Sequence, residues 1–238
     1  MQLSKRLQAV ADMVSPGSRV ADVGCDHAYT SIYLVENDIS PYVIAMDINK
    51  GPLERAKANI LKYGYESKIE TRLSNGMVKL APGEVDSIVI AGMGGALMVN
   101  ILSDSMEVMH TADELILQPQ SENHKLRQFV QEQGFLIIDE NMVMDDGKYY
   151  TIMKASKAKL CDKPEKYILC SKEHFHYGRL LLERRHPVLR SYLLWDLGIC
   201  ENILVALEAE KTKKASDRKK EILERIKLAR CGLEYFSS

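Results

Sequence analysis

A chain of 238 residues with 46% apolar and 27% charged side chains has the composition of a globular protein and the length for one sizeable core plus an appendage. Five scattered cysteines, with no C-x-x-C pair and no metal-ligand spacing, exclude a disulfide scaffold and point to no metal site. The longest apolar run, IVIAGMGGALMV, has 12 residues and is too short to span a bilayer.

The net charge of −1 hides an asymmetry: residues 163–238 carry 16 Lys and Arg against 11 Asp and Glu, the remainder 16 against 22. A basic C-terminal part is a candidate for nucleic acid, although a solvated pair of charged helices gives the same balance. The N-terminal stretch mixes charges into its apolar residues and lacks the core of a signal peptide, so a cytoplasmic protein is expected.

Residues 4–14 have apolar side chains at helical spacing, with Ser4 as N-cap and Pro16-Gly17 as terminator. SRVADVG (18–24) reads as a first strand and 28–37 as a helix. A second strand follows at 42–48, a helix at 52–64, a third strand at 68–75, a fourth at 85–92 and a helix near 95–109. ELILQP (114–119) is a fifth strand, 121–134 a helix capped by Ser121, and 135–156 two strands joined at Asp146-Gly147. The alternation predicts an α/β, doubly wound, seven-stranded, mostly parallel sheet closed by an antiparallel hairpin. Beyond residue 160 strand signals stop. Two amphipathic stretches, 187–214 and 217–236, predict an α-helical hairpin that turns at Ala215-Ser216-Asp217. In the second stretch Ile222, Leu223, Ile226, Ala229, Leu233 and Phe236 fall near one face. The expected division is a catalytic domain over 1–160 and a helical appendage over 161–238.

The chemistry gathers at the predicted strand ends, where open α/β sheets bind ligands. ADVGCDHAYTS (21–31) begins like a dinucleotide loop, but Asp26 and Tyr29 stand where its second and third glycines belong. Asp47, 23 residues past Gly24 and followed by Ile48, is placed to hold a ribose diol. A pyrophosphate would be repelled by Asp22 and Asp26. S-adenosylmethionine fits instead: it has the adenosine, no phosphate, and cationic groups that carboxylates favour. Each residue has a plainer alternative. Asp22 could cap a loop amide, His27 could cap the next helix, Tyr29 could pack in it, and the glycines after strand four could make only a tight turn.

LSKRLQAVADMV, VADVGCDHAYTSIYL, IVIAGMGGALM and LILQPQ together resemble the bacterial tRNA adenine-N1 methyltransferases that modify adenine 22, over nearly the whole chain. The resemblance implies a Rossmann-like class I methyltransferase fold, S-adenosyl-L-methionine as donor and a D-loop adenine of tRNA as acceptor. By position, Asp22, Gly24, Asp26 and His27 match the first motif of that family and Asp47 its ribose acid. Asn75-Gly76 matches the adenine-binding turn, where Asp-Gly is frequent, and Ala91, Gly92 and Met93 follow the fourth strand. The N/D-P-P-Y/F motif of amino-group adenine methyltransferases is replaced here by AGMGG, which argues against that chemistry.

A carboxylate near the acceptor would stabilise the positive charge that N1 methylation creates. Asp26 is the candidate, with His27 and Tyr29 to orient it or stack the base. Gly92, Gly94 and Gly95 would let a flipped base approach, and Gln118-Pro119-Gln120 either reads its edge or simply ends a strand. Three basic clusters are candidates for RNA phosphates: Lys5 with Arg6; Arg184 and Arg185 beside His186; and the loop 211–220 with Lys211, Lys213, Lys214, Arg218, Lys219 and Lys220. No metal, no membrane and a monomer are expected. The alternatives are a methyltransferase acting on another RNA position or a small molecule, a non-enzymatic RNA-binding protein, and an NAD-dependent dehydrogenase, which Asp26 and Tyr29 disfavour.

Overall fold

A computed structural model describes residues 1–208 and 212–237, which form two compact units, Met1–Ile168 and Leu169–Ser238. The first unit runs α1 (Lys5–Ala11), β1 (Val20–Val23), α2 (Tyr29–Glu36), β2 (Val43–Asp47), α3 (Lys50–Tyr63), β3 (Ile69–Leu73), β4 (Ser87–Met93), α4 (Gly95–Ser103), α5 (Met106–Thr111), β5 (Glu114–Pro119), α6 (Asn123–Glu132), β6 (Phe135–Asp145) and β7 (Lys148–Lys157).

The strands make a seven-stranded sheet in the order β3-β2-β1-β4-β5-β7-β6. β1 to β5 pair in parallel, and β7 runs antiparallel between β5 and β6. VADV and ELILQP are buried along their whole length, as strands covered on both faces must be, so they read as continuous rather than alternating apolar runs. Chain order reverses direction between β1 and β4, and that crevice is where a doubly wound sheet binds ligands.

α1 begins where expected, with Ser4 Oγ accepting from the Leu7 N–H, but ends at Ala11 rather than at 14. Lys154 ties the segment after it to the sheet: its ammonium donates to Met13 O at 2.9 Å and Ser15 Oγ at 2.7 Å, and pairs with Glu114 at 2.8 Å. Two helix expectations are corrected. The segment 95–109 is two helices broken at Asp104-Ser105, and α6 is capped by Glu122 in a left-handed conformation, with no side-chain cap from Ser121. Buried between α6 and β6, Arg127 and Glu140 pair at 2.8 Å with neither side chain reaching solvent.

The second unit holds α7 (Lys172–Tyr177), α8 (Arg179–Glu183), α9 (Pro187–Glu208) and α10 (Lys213–Glu234). Gly232 lies against Leu193 while Ile222 clusters with Cys200, so α9 and α10 run antiparallel. The predicted turn at Ala215-Ser216-Asp217 is corrected: those residues are already in α10, whose N-cap is Thr212, and Ala215 is buried. Of the predicted apolar face, Ile222, Ile226 and Ala229 are buried, whereas Leu223 points largely to solvent. Two short helices, α7 and α8, carry no periodicity long enough to predict them. His174 Nε2 lies 3.1 Å from the Tyr235 hydroxyl, joining α7 to the residue that caps the end of α10.

Candidate functional site

A cavity of about 470 Å³ opens at the carboxyl ends of β1, β2 and β4, within the range of small-molecule sites. Asp22, Gly24, Asp26, His27, Tyr29, Asp47, Ile48, Asn75, Gly76, Ala91, Gly92 and Met93 all line it, so every residue expected at the donor or catalytic site falls in one place.

β1 delivers the first group. Asp22 is buried, and the Ser31 hydroxyl of α2 donates to its Oδ2 at 2.6 Å. Burial pushes its carboxyl up to about 6, against the pull of Ser31, and nearby Asp47 adds to the rise. The chain then turns sharply: Gly24 and Cys25 both donate their N–H to Met46 O, at 2.8 and 2.9 Å. Gly24 has φ +78, the left-handed conformation that favours glycine, and a Cβ there would lie 2.1 Å from Met93 Cε, so a side chain would also displace the end of Met93. Asp26 and Ala28 also take positive φ, 48° and 59°. That backbone turns the Asp26 carboxylate outward, with its side chain 65% exposed at the rim. It stands 3.7 Å from His27 Nε2 and 3.6 Å from the Arg55 guanidinium. The His27 and Tyr29 rings stack at 5.4 Å with 12° between their planes. His27 does not cap α2, which has no side-chain cap; its carbonyl instead accepts from Asn59 Nδ2 at 3.0 Å.

β2 and β3 supply the adjacent wall. Asp47 ends β2, and its Oδ1 accepts the Asn49 N–H at 2.8 Å, which fixes the carboxylate's direction. The Ser74 N–H donates to Asp47 O, holding the Asn75-Gly76 turn beside it. Ile48 sits half open at the rim.

β4 contributes a bulge. Ala91 pairs with Gln118 and Met93 with Pro119, leaving Gly92 as the extra residue at φ +80. The Gly92 N–H, freed from the ladder, donates to Gln118 Oε1 at 3.1 Å. Gln118 is wholly buried and its amide donates back to Pro119 O, so it is not available to a base edge; Gln120 lines the cavity instead.

Arg6 is the departure from expectation. It does not stand on the surface with exposed Lys5. Its guanidinium donates to Gln118 Oε1 at 2.9 Å, lies over the Tyr150 ring at 5.5 Å and lines the cavity. Arg55, Asn59 and Tyr150 also escape a reading of the sequence, since none has a local motif and only the fold brings them near. Ser31 lies within ADVGCDHAYTS (21–31), but nothing in that stretch announces its bond to Asp22.

The other basic clusters lie in the second unit. Lys213, Lys214, Arg218 and Lys220 are exposed and Lys219 is partly so, while Lys211 lies outside the described residues. Arg184 and Arg185, also exposed, precede α9 and so lie at the opposite end of the helical pair. With 22 residues in α9, that separation is roughly 30 Å. Among the described residues no group of His, Cys, Asp and Glu could hold a metal ion, and no helix is long and apolar enough to cross a membrane.

The arrangement can hold a nucleoside through Asp47 and Asn75-Gly76, and a cation beside Asp22. It lacks the glycine cradle a pyrophosphate requires. These donors fit S-adenosyl-L-methionine.

Similarity to known proteins agrees. A sequence profile described as "Methyltransferase domain" matches residues 3–153. The Bacillus subtilis tRNA (adenine(22)-N(1))-methyltransferase is 39% identical over 155 residues, an alignment that spans just under two thirds of either chain, 65%. The crystal structure of the B. subtilis m1A22 tRNA methyltransferase TrmK superposes with a TM-score of 0.86 at 31% identity, covering 98% of this chain and 99% of that one. Streptococcus pneumoniae Sp1610, in complex with S-adenosyl-L-methionine, matches with a TM-score of 0.83 at 31% identity over 98% and 100% of the two chains. With that coverage and a cavity of this chemistry, the chain belongs to the family of bacterial tRNA (adenine(22)-N(1))-methyltransferases.

Proposed function

We propose that the protein transfers a methyl group from S-adenosyl-L-methionine to N1 of adenine 22 in the D-loop of tRNA. In this reading residues 1–160 hold the donor and the target base, and the helical part, 161–238, holds the tRNA body. The observation that carries the proposal is the set of three carboxylates, Asp22, Asp26 and Asp47, around one cavity at the strand ends.

The donor supplies an activated methyl on a sulfonium. Asp47 accepts the ribose hydroxyls, Asn75 and the Gly76 backbone meet the adenine edge, and Ile48 covers its face. Asp22, next to Gly24, faces the cationic tail. N1 of adenine has its lone pair in the ring plane, so Asp26 is not needed to create the nucleophile. Its exposed carboxylate stabilises the positive charge that forms on the ring and accepts a proton from the methylated base. The half-open His27–Tyr29 stack offers a face to a base extruded from the folded tRNA. Of the three glycines expected to admit the base, Gly92 alone lines the cavity and keeps that wall low; Gly94 and Gly95 lie outside it, where their missing Cβ atoms make room for Ser121 and Glu122.

The tRNA body is held by phosphate contacts from the basic residues of the second unit, chiefly Lys213, Lys214, Arg218, Lys219 and Lys220 at the start of α10. The protein acts as a cytoplasmic monomer that needs no metal.

The test is methyl incorporation from labelled S-adenosyl-L-methionine into unmodified tRNA transcripts, with primer extension to locate the product. A stop at adenine 22 that is lost in Asp26→Ala, with donor binding retained, supports both the assignment and the role of Asp26. No incorporation into any tRNA overturns the assignment.

A further inference from the structure

We infer that Arg6 is a donor-binding residue that holds the carboxylate of the amino-acid tail of S-adenosyl-L-methionine. The inference rests on the donor assignment above and names a contact within it.

Of the described residues that line the cavity, Arg6 alone is an arginine or lysine, set against Asp22, Asp26 and Asp47. A cation inside an acidic cavity would be drawn to those carboxylates if it were loose. It is held elsewhere, by contacts that leave its charge in place. The Arg6 N–H donates to Asp145 Oδ2 at 3.1 Å, fixing the backbone. The guanidinium contacts are the neutral amide oxygen of Gln118 and the face of Tyr150. Gly92 packs beside it: a Cβ there would stand at contact distance, 3.4 Å, from the Arg6 guanidinium nitrogen. The β4 bulge, Gln118 and Tyr150 thus hold one guanidinium in a single orientation.

The ligand chemistry follows from the order of the strands. Asp47 ends β2, Asp22 lies on β1, Gly92 on β4 and Gln118 on β5, and these are successive neighbours in the sheet. At about 4.8 Å per strand, Asp47 and Gln118 lie about 14 Å apart, too far for a nucleoside alone and suited to one extended by an amino-acid tail. Such a tail presents an ammonium and a carboxylate, and the site presents a carboxylate on β1 and then a guanidinium beyond it. An RNA phosphate is the other anion that an arginine takes, but three carboxylates around the cavity oppose a polyanion there. A zwitterion meets no such penalty.

Calorimetric titration of wild type and Arg6→Gln with S-adenosyl-L-methionine and with its decarboxylated analogue tests this without reference to activity. A charged hydrogen-bonded pair is worth a factor of about 10 to 100. Wild type is expected to bind the decarboxylated compound weaker by that factor. Arg6→Gln should lose the same factor for the natural donor, keep its affinity for the analogue, and so cease to discriminate. A variant that discriminates as well as wild type overturns the inference while leaving the donor assignment standing. So does a wild type that binds both compounds equally, a result that does not depend on the variant folding. A wild type that binds neither overturns the donor assignment and this contact with it.

Discussion

The Ser31 hydroxyl of α2 donates to Asp22 Oδ2 of β1 at 2.6 Å, and both side chains are buried. The bond aims a carboxylate from inside the sheet toward the cavity. A lone buried carboxylate costs stability, and a cationic ligand offsets that cost only when bound.

That cost is measurable in the ligand-free protein. The Asp22 carboxyl titrates at about 6 in the fold against an ordinary value of 3.8, so the folded state retains a proton that the unfolded chain has released. Its contribution to stability is therefore fully present below about pH 4 and lost as pH rises through 6. Asp22→Asn should raise the melting temperature at pH 7.5, by at most about 2–3 kcal/mol of stability, and the gain should vanish on titration toward pH 4. The same variant should bind S-adenosyl-L-methionine at least tenfold more weakly. Equal melting curves for variant and wild type at both pH values would show that the burial is harmless.

Asp26 is expected to divide binding from chemistry. It projects from a left-handed backbone position, φ 48°, which Asn tolerates better than Ala. Asp26→Asn is thus the cleaner variant, removing the charge without disturbing the loop. Single-turnover methylation should slow by roughly 10²-fold, while the dissociation constant of the donor changes by no more than about threefold. A parallel loss of both would mean that Asp26 organises the donor instead.

Much of this is legible in the sequence where a local pattern suffices. ELILQP is a strand at its expected bounds, because a buried central strand is a continuous apolar run. Asp47 falls at a strand end at ribose-holding distance from Gly24, because the βαβ unit fixes that spacing. What fails is what depends on distant partners. Arg6 reads as a surface charge on an amphipathic helix, and it takes Gln118, 112 residues away, and the distant Tyr150 ring to draw it inward. Ala215-Ser216-Asp217 has turn composition, yet Thr212 caps the helix first and Ala215 is buried. The sequence leaves open whether Gln118 meets a base or only ends a strand, because nothing local announces the Gly92 bulge that takes up its oxygen.

The buried pair of Arg127 and Glu140 matters to stability rather than to the site. Glu140→Gln leaves the guanidinium without its carboxylate in a place water does not reach, at a cost of about 3–5 kcal/mol. Replacing both, as Arg127→Met with Glu140→Leu, should recover most of the loss, since the desolvation of both charges is then avoided. Urea unfolding of the three proteins checks this; a double variant as unstable as the single one would mean that the pair contributes net stability.

The basic residues at the start of α10 should act on RNA alone. Lys213, Lys214, Arg218 and Lys220 are exposed, although Arg218 lies 2.8 Å from Glu221 and Lys220 3.9 Å from Asp217. Exposed pairs of this kind are weak, so phosphates compete for them readily. Lys213, Lys214 and Lys219 make no such pair among the described residues, and replacing them should weaken tRNA binding at low salt. Each phosphate interaction removed reduces the slope of log affinity against log salt by about 0.7–0.9, so the triple Lys→Gln variant should flatten it by about 2. Donor affinity should be unchanged, because these residues lie outside the cavity. If the slope is unaffected, the RNA is held elsewhere, and Arg184 and Arg185 at the other end of the helical pair become the residues to replace.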